Sequence, residues 1–350
     1  MRLRTIKRIL HEIRYYKKLI KKYGDSLLPG HYVLFPNMRA IVADNAFSIE
    51  SAKAYFKNEM PSGRILKLIS KLNESNYYFN KKQATSKRYE ALYAANNYDE
   101  VREVKLFSFQ RKEILTLCVS NEDCKKQILG YKKWQPYFKM PTVSKRDEYN
   151  NAYEISMVEL KQRPSDLLAL NSIIDCFSTY RKINNEDLIK EPVSEIINFC
   201  YAEDINFILK KLVSGISPEV LELKIPVCLQ HGDLSRDNLL YGKCDGVIDF
   251  WWIDWEHAGN RLFIYDYFFY ILNTAIYFSD LEGIDRYLNG DCDEALKEYF
   301  ELFNIRYDPK YRKDYFMVFA IAFLKERVCD LGNIQALEMY YDFINSIVLN

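Results

Sequence analysis

The spacing of apolar residues changes along this 350-residue chain, and that change constrains the fold more than any other feature. Between residues 101 and 160, short apolar segments bounded by polar turns indicate strands, with one stretch of helical spacing between two pairs of them. From about residue 165 the apolar residues recur at three- and four-residue intervals, which is typical of helices. A strand-rich segment at 226–256 is the exception. The predicted small sheet comprises strands at 101–109, 113–119, 141–145 and 151–160, with a helix at 123–138.

This order predicts an α+β fold in which a small antiparallel sheet carrying one helix precedes a mainly helical region. We divide the chain into an N-terminal extension at 1–100, a sheet unit at 101–160 and a helical unit at 161–350. The elements predicted for the extension are strands at 31–37 and 39–44 and helices at 1–23, 51–58 and 63–72. The helices predicted for the helical unit are 165–180, 192–214, 263–280, 291–303 and 312–348.

The composition, with 49% apolar and 28% charged residues, is that of a folded globular chain. Its eight cysteines are scattered and only four histidines accompany them, which argues against a zinc site and against a disulfide framework. The most apolar stretch, 262–278, contains Asp266 and is shorter than the roughly 20 apolar residues that a membrane-spanning helix needs. We therefore expect a cytoplasmic protein without a signal peptide or a spanning helix.

The formal net charge of +1 hides an uneven distribution. Residues 1–23 contain nine Lys or Arg and one Glu, a charge of +8, so the rest of the chain carries −7. The predicted helix here has one apolar face and one basic face. Two interpretations stay open: the apolar face packs on the rest of the protein, or the helix lies on an anionic membrane surface. Nucleic acid is not an expected partner, because no aromatic platform is interleaved with the charges.

Residues 226–256 bring several polar side chains toward one place. An apolar strand leads into a His-Gly-Asp tripeptide at 231–233, and four residues then separate Asp233 from Asn238. A hairpin turning at 243–246 then returns a second strand, which delivers Asp254 toward the first site. Phosphoryl transfer needs a carboxylate that takes the proton of the acceptor, and amide and carboxylate oxygens that hold Mg²⁺ on the nucleotide phosphates. This segment contains such a set.

The two motifs read His231-Gly-Asp233-x4-Asn238 and Ile253-Asp254-Trp255-Glu256. In this order, with a strand hairpin between them, they resemble the paired signature of the aminoglycoside phosphotransferase and choline kinase family. Over about residues 100–350 the resemblance implies a protein-kinase-like two-lobed fold, with a small antiparallel-sheet N-lobe and a mainly helical C-lobe. The implied roles are catalytic base for Asp233, support of the catalytic loop for His231, magnesium ligation for Asn238 and Asp254, and anchoring of the loop for Asp266.

Asp249 competes with Asp254 for the role of metal ligand, since Ile248-Asp249-Phe250 also resembles an Asp-Phe motif. Asp254 is preferred because Trp-Glu and a small Ala-Gly pair follow it, as in the family. Asp249 is then expected to point outward from its strand.

The nucleotide-binding part of the resemblance is less complete. Kinase-like folds usually place a Lys on the third strand to contact the phosphates, and an acid on the next helix to hold that Lys. Here the Lys position falls on or near Thr116, and residues 125–131 contain no acid. The candidate substitutes are Lys112, Lys105, Lys125 and Lys126, of which we select Lys112 for the site. The backbone of Val158, Glu159 and Leu160 resembles the connection that pairs with adenine.

The resemblance implies a small-molecule phosphotransferase that moves the γ-phosphate of ATP or GTP to a hydroxyl of a sugar, a glycan or an amino alcohol, with Mg²⁺ as cofactor. A cell-envelope glycan component is the favoured acceptor, because a membrane-seeking basic helix would bring the enzyme to lipid-carried material. An aminoglycoside kinase is one alternative. A nucleotide-binding scaffold without turnover is another, motivated by Thr116 at the Lys position.

Overall fold

The computed structural model describes residues 18–19, 21–35, 40–55, 89–95, 103–147, 151–157, 166–184, 188, 190–244, 247–329 and 334–348. The chain divides into two compact units. The first unit comprises residues 1–162 and 242–251, and the second comprises residues 163–241 and 252–350.

The first unit is built on a seven-stranded antiparallel sheet with the strand order β1-β2-β3-β4-β5-β7-β6. The central strand β4 is almost entirely buried, whereas buried and half-buried residues alternate along most of β5. The predicted order of strand, strand, helix, strand and strand is confirmed. The strands are β1 Tyr32–Phe35, β2 Ala40–Ala43, β3 Ala91–Ala95, β4 Glu103–Ser108, β5 Glu113–Cys118, β6 Val143–Asp147 and β7 Ala152–Ser156.

The structure differs from the predicted division at residue 100. Strands β1, β2 and β3 come from the predicted extension, yet β3 pairs with β4 in one continuous sheet. The physical reason is that these strands are rich in small and branched apolar residues, so a neighbouring strand buries them. The core cluster on this part of the sheet includes Leu19, Leu27, Tyr32, Ile41, Tyr89, Leu92, Val104 and Leu106.

Two helices of the first unit are described, α1 at Ala46–Tyr55 and α2 at Asn121–Trp134. Helix α1 begins five residues before its predicted start, because the Asn45 side chain accepts a hydrogen bond from the Ser48 backbone N–H at 2.9 Å. The predicted helix at 63–72 and most of the predicted basic helix at 1–23 lie outside the described residues. Residues 18–19 and 21–23 of the basic segment are helical.

The second unit is mainly helical, as the sequence predicts. Its described helices are α3 Asp166–Asp175, α4 Phe177–Ile183, α5 Val193–Ile196, α6 Glu203–Val213, α7 Pro218–Leu221, α8 Tyr265–Phe278, α9 Glu282–Asn289, α10 Asp293–Leu302, α11 Arg312–Leu324 and α12 Ile334–Val348. A three-stranded sheet has the order β12-β9-β8, and β10 pairs with β11 as a hairpin whose residues 242–251 belong to the first unit. These strands are β8 Lys190–Pro192, β9 Lys224–Gln230, β10 Leu239–Cys244, β11 Val247–Trp252 and β12 Gly259–Leu262.

Aromatic side chains fill the core of the second unit. Helix α8 is buried on nearly all sides, and the Phe268 ring lies 4.9 Å from the Tyr287 ring and 5.6 Å from the Phe316 ring, edge to face in both cases. Such pairs add about 0.5–1.5 kcal/mol each beyond the burial of their area. This packing gives β9 and α8 a rigid support. Among the residues that the structure describes, no helix is long and apolar enough to cross a membrane.

The predicted continuous helix at 312–348 is interrupted. Helix α11 ends at Leu324, a π-helical turn spans Lys325–Cys329, and α12 begins at Ile334. The turn directs three consecutive charged side chains toward distant partners. Lys325 Nζ donates to the Ile196 carbonyl at 2.7 Å, Glu326 pairs with Arg261 of the strand Gly259–Leu262, and Arg327 donates to the Gly232 carbonyl. Partners that lie so far away in sequence leave no periodic signal, so the sequence predicted one helix.

Candidate active site

The loop that follows β9 is anchored by a buried carboxylate. Asp266, at the start of α8, is only 1% exposed and accepts hydrogen bonds from the backbone N–H groups of His231 at 2.7 Å and Gly232 at 2.8 Å. The Tyr180 hydroxyl donates to the same carboxylate at 2.6 Å, and the Asp266 N–H donates to Gln230 Oε1 at 3.3 Å. Since buried polar groups need partners, this set fixes the direction in which the chain leaves β9. Asp266 therefore lies where the resemblance implies an anchor.

Gly232 allows the loop to turn at this point. Its φ of +80° is a conformation that residues with a Cβ rarely adopt. A Cβ built there would overlap the His257 carbonyl oxygen and the Arg261 guanidinium. Both the backbone conformation and the close contacts therefore require glycine.

His231 joins the two sequence motifs. Its ring is completely buried, Nε2 lies 2.9 Å from the Ile253 carbonyl oxygen, and Nδ1 accepts the Asp233 backbone N–H at 3.3 Å. Burial lowers the pKa of His231, which favours the neutral imidazole with its proton on Nε2. The Trp255 ring packs beside it with a centroid separation of 4.4 Å. Both ring nitrogens therefore contact the backbone, and the side chain links the loop after β9 to the end of β11.

Asn238 is bonded directly to Asp233. Its Nδ2 donates to the Asp233 carbonyl oxygen at 2.8 Å and to Asp233 Oδ2 at 3.1 Å. The side chain is 7% exposed, and its backbone carbonyl accepts the Ile253 N–H at 3.0 Å. Both bonds use the Nδ2 group, so Oδ1 is the atom of this amide with the chemistry to ligate a cation.

Asp254 follows β11 with a φ of +65°, a left-handed conformation that is uncommon for a residue other than glycine. Strain of this kind is concentrated at functional sites. Its side chain is half-buried. Burial lowers the pKa of His231 and raises that of Asp233, and the negative charge of Asp254 acts to raise both pKa values.

The pKa of the Asp233 carboxyl is raised from its ordinary value, chiefly by burial. The charges of Arg327 and His257 oppose this shift, and the negative charge of Asp254 adds to it. The result is a carboxylate whose proton affinity is above that of an exposed Asp, which suits a general base.

Sequence analysis did not identify Arg327 as a site residue. Its Nη2 donates to the Gly232 carbonyl and lies 3.4 Å from Asp233 Oδ1. The preceding residue, Glu326, forms an ion pair with Arg261, whose Nε donates to Glu326 Oε2 at 2.8 Å. The sequence feature that could have indicated Arg327 is the charged run Lys325-Glu326-Arg327 inside an otherwise apolar helical pattern. In the structure this run forms the π-helical turn, and such turns are frequent at functional sites.

A pocket of about 210 Å³ opens beside Asp233 within the second unit. The sequence contains 28 Tyr and 21 Phe but did not show which of them line a pocket. The lining residues come from the loop, α8, α11, the π-helical turn and α12, and are Asp233, Phe269, Leu272, Asn273, Ile276, Tyr277, Phe323, Arg327 and Tyr340.

The other predicted site residues belong to the first unit or lie outside the described residues. Lys112 is exposed, at the hairpin turn between β4 and β5, with a φ of +56°. Val158, Glu159 and Leu160 lie outside the described residues. Asp249 lies in β11, and its side chain is likewise outside the described part of the structure.

The first unit offers a different lysine. Thr116 is completely buried in β5, and its cross-strand partner in β4 is Lys105. Lys105 Nζ lies 2.9 Å from Glu103 Oε1, and Gln127 of helix α2 donates to Glu103 Oε2 at 3.0 Å. Directly paired residues of an antiparallel sheet lie on the same face, so Lys105 emerges on the face where Thr116 stands. A Lys, an acid and a helix residue are therefore connected, with the acid on the strand and not on the helix.

The donor set suits magnesium. No group of three His, Cys, Asp or Glu side chains with metal-binding geometry occurs within the described ranges. An amide oxygen from Asn238 and a carboxylate from Asp254 are hard oxygen ligands, and Mg²⁺ characteristically binds one or two protein groups while keeping several waters. Asn238 and Asp254 would thus supply two of the oxygen ligands of a Mg²⁺ ion.

No family model matches the sequence, and a search of curated proteins found no match. Solved structures are similar in fold. A choline/ethanolamine kinase family protein from Mesorhizobium loti is 12% identical over 86% of this chain and 92% of its own, with a TM-score of 0.43. Choline kinase LicA from Streptococcus pneumoniae is 9% identical over 72% and 93%, with a TM-score of 0.44. Aminoglycoside phosphotransferase APH(4)-Ia is 13% identical over 73% and 92%, with a TM-score of 0.44.

These are the two classes of protein that the motifs at 231–256 resemble. With identities near 12% and TM-scores below 0.5 the likeness is distant. The chemistry of the site follows from its own residues.

Proposed function

We propose that this protein is a small-molecule phosphotransferase that moves the γ-phosphate of ATP or GTP to an acceptor hydroxyl. The observation that carries the proposal is the pair of hydrogen bonds from Asn238 Nδ2 to Asp233, at 2.8 and 3.1 Å. They hold a carboxylate and an amide oxygen side by side on a loop anchored by Asp266. Asp233 then takes the proton of the acceptor hydroxyl as that oxygen bonds to the γ-phosphorus. The bond from the γ-phosphorus to the β,γ-bridging oxygen breaks, and ADP or GDP leaves with the bonding electrons.

Asn238 and Asp254 are the residues that would hold Mg²⁺ in this proposal. When bound, Mg²⁺ neutralises charge on the nucleotide phosphates. Asn238 Nδ2 keeps the amide in one orientation by bonding Asp233, which directs Oδ1 away from that bond. The buried His231, bonded to the Ile253 carbonyl, fixes the chain immediately before Asp254. The loop therefore positions its ligands through bonds within the protein.

For the nucleotide phosphates we propose Lys105 in preference to Lys112. Lys105 has an oriented side chain, held by Glu103 and through it by Gln127, whereas Lys112 is exposed on a turn. Recognition of adenine by the backbone of residues 158–160 remains part of the proposal. We also propose that the basic segment at residues 1–23 brings the enzyme to a cell-envelope glycan acceptor.

The direct test is phosphate transfer by Asp233→Asn in the presence of Mg²⁺ and ATP. We expect the variant to lose activity by roughly 10²- to 10⁴-fold, the usual contribution of a general base. Asp237→Asn is the matched control, because Asp237 is an exposed acid in the same loop. Equal rates for the wild type, Asp233→Asn and Asp237→Asn with every hydroxyl acceptor in a broad panel would rule out the proposed chemistry.

A nucleotide-binding scaffold without turnover is the second candidate. The observation that favours it is Thr116, buried at the position where the resemblance implies a phosphate-binding Lys. It predicts that Mg²⁺ and ATP raise the melting temperature while no acceptor gains phosphate. Transfer that depends on Asp233 would exclude it.

A further inference from the structure

The walls of the pocket beside Asp233 carry almost no charge. Of the nine lining residues only Asp233 and Arg327 are charged, and Arg327 Nη2 lies 3.4 Å from Asp233 Oδ1. The two charges cancel, so the pocket is neutral as a whole. We propose, on the basis of the phosphotransferase function above, that it takes an uncharged polyhydroxyl acceptor of the sugar class, and not an aminoglycoside or a cationic amino alcohol.

An acceptor with several ammonium groups would lose hydration on entering this pocket without gaining partners. Burying an unpaired charge costs several kcal/mol, and an ion pair with a carboxylate normally offsets that cost for an ammonium group. Asp233 is the single carboxylate of the lining, and Arg327 already interacts with it. The guanidinium also repels any cation that approaches the base.

An aromatic cage for a quaternary ammonium is present only in part. Cations bind over the faces of aromatic rings at up to about 6 Å from the centroid. Here the Arg327 guanidinium lies 5.8 Å from the Phe269 centroid, so a cation of the protein is already placed against one of the rings of the pocket. A second cation at that ring would meet the charge of Arg327.

The same walls suit a sugar ring. Phe269, Phe323 and Tyr340 are buried rings, and Tyr277, 63% exposed, stands at the mouth. Flat apolar walls with a few polar groups are typical of small-molecule sites, and the apolar C–H face of a sugar packs on such rings. The Tyr277 and Tyr340 hydroxyls, 2.9 Å apart, and the Asn273 amide supply polar groups for the hydroxyls of the ligand.

The size of the pocket also favours a single ring. Its volume of about 210 Å³ is below the roughly 300–1,000 Å³ of sites that enclose drug-sized ligands. A monosaccharide, or the terminal unit of a longer glycan whose remainder stays outside, fits this limit better than a whole aminoglycoside of several rings.

The test compares three acceptor classes on the full chain with Mg²⁺ and ATP, with mass spectrometry to detect the gain of one phosphate. The probes are a panel of neutral mono- and disaccharides, kanamycin as the polycation, and choline as the monocation. We expect kcat/KM for the best neutral sugar to exceed that for kanamycin and choline by at least about 100-fold, as is usual where buried polar groups are mismatched. Preferred phosphorylation of kanamycin or choline would overturn this inference and leave the phosphotransferase function intact. No transfer to any acceptor would count against both.

A charge introduced into the wall gives an independent measurement. Asn273→Asp keeps the size of the side chain and adds a carboxylate to the lining, so it should raise the ratio of kanamycin to neutral-sugar kcat/KM by about tenfold. Asn289→Asp is the matched control, because Asn289 is an exposed residue outside the lining. The same ratio in both variants would contradict the assignment of this pocket to the acceptor.

Discussion

At the scale of single residues, the reactivity of the site depends on the charges around Asp233. Burial and Asp254 favour its protonated form, and Arg327 and His257 favour the carboxylate. A base that is held partly desolvated, and is kept ionised by one well-placed cation, can change its proton affinity when that cation is removed. In the proposed reaction, Arg327 is therefore a positioning residue that acts through Asp233.

Replacement of Arg327 tests this role. In Arg327→Gln the loss of the positive charge should raise the pKa of Asp233 further, because the charged form loses its nearest cation. Since the base acts only when it is deprotonated, the acid limb of the pH profile of kcat/KM should move to higher pH, by about one unit. Arg327→Lys keeps the charge and should keep most of the profile. A purely structural role would lower activity in Arg327→Gln at every pH and leave the limb where it is.

Asp266 belongs to the same scale but acts on stability. Three donors, the His231 N–H, the Gly232 N–H and the Tyr180 hydroxyl, converge on its carboxylate. Asp266→Asn turns an NH₂ group toward at least one of them and leaves buried donors unsatisfied, so we expect a loss of about 2–4 kcal/mol in the free energy of unfolding. Tyr180→Phe removes a single bond and should cost about 1 kcal/mol. Urea denaturation measures both, and equal losses would contradict the central role of Asp266.

At the scale of elements, the sequence predicted those strands and helices whose formation depends on local spacing of apolar residues. The strands at 103–108 and 113–118 and helix α2 form near their predicted positions because alternation and helical spacing are local signals. The loop at 231–238 was identified because its chemistry is encoded in consecutive residues. The π-helical turn was missed because its charges are satisfied by residues 65 to 129 positions away in sequence.

The pairing of strands also explains why Lys112 was selected before Lys105. Sequence order alone could not show that Lys105 stands directly opposite Thr116, because the register depends on where the intervening turn lies. Glu103 lies two residues before Lys105 on the same strand, so the two side chains share a face of the sheet and can form their ion pair. The register with Thr116, by contrast, follows only from pairing in three dimensions.

This element yields a prediction on the nucleotide. Lys105→Met removes one charge-assisted contact with phosphate, worth about 1.5–3 kcal/mol, so the Kd for ATP with Mg²⁺ should rise by at least about tenfold. Lys112→Met is the matched control and should leave the Kd near the wild-type value. Calorimetric titration measures both, and a larger effect from Lys112→Met would restore the original assignment. Far-UV circular dichroism of the two variants checks that the sheet is retained.

At the scale of the whole molecule, the net charge of +1 combines a segment of +8 with a remainder of −7. The described end of the basic segment is attached to the first unit, because Leu19 is 4% exposed and belongs to the cluster around β2 and β3. Lys18, Lys21 and Lys22 are exposed on the same turns. Packing of an apolar residue and presentation of bases to an anionic surface are therefore compatible within one helix.

Binding to anionic vesicles tests whether the exposed bases act in this way. We expect the full chain to co-sediment with vesicles that contain phosphatidylserine, and to do so less at high salt, because each Lys near such a surface contributes roughly 1 kcal/mol. The triple variant Lys18→Gln, Lys21→Gln and Lys22→Gln should weaken binding by about fivefold per residue, since Leu19 and the core remain. Substitution is preferable to deletion of residues 1–23, which would expose the cluster that Leu19 fills. If the variant and the wild type sediment equally, or if vesicle binding does not change with salt concentration, the basic segment acts only within the fold and does not bind the membrane.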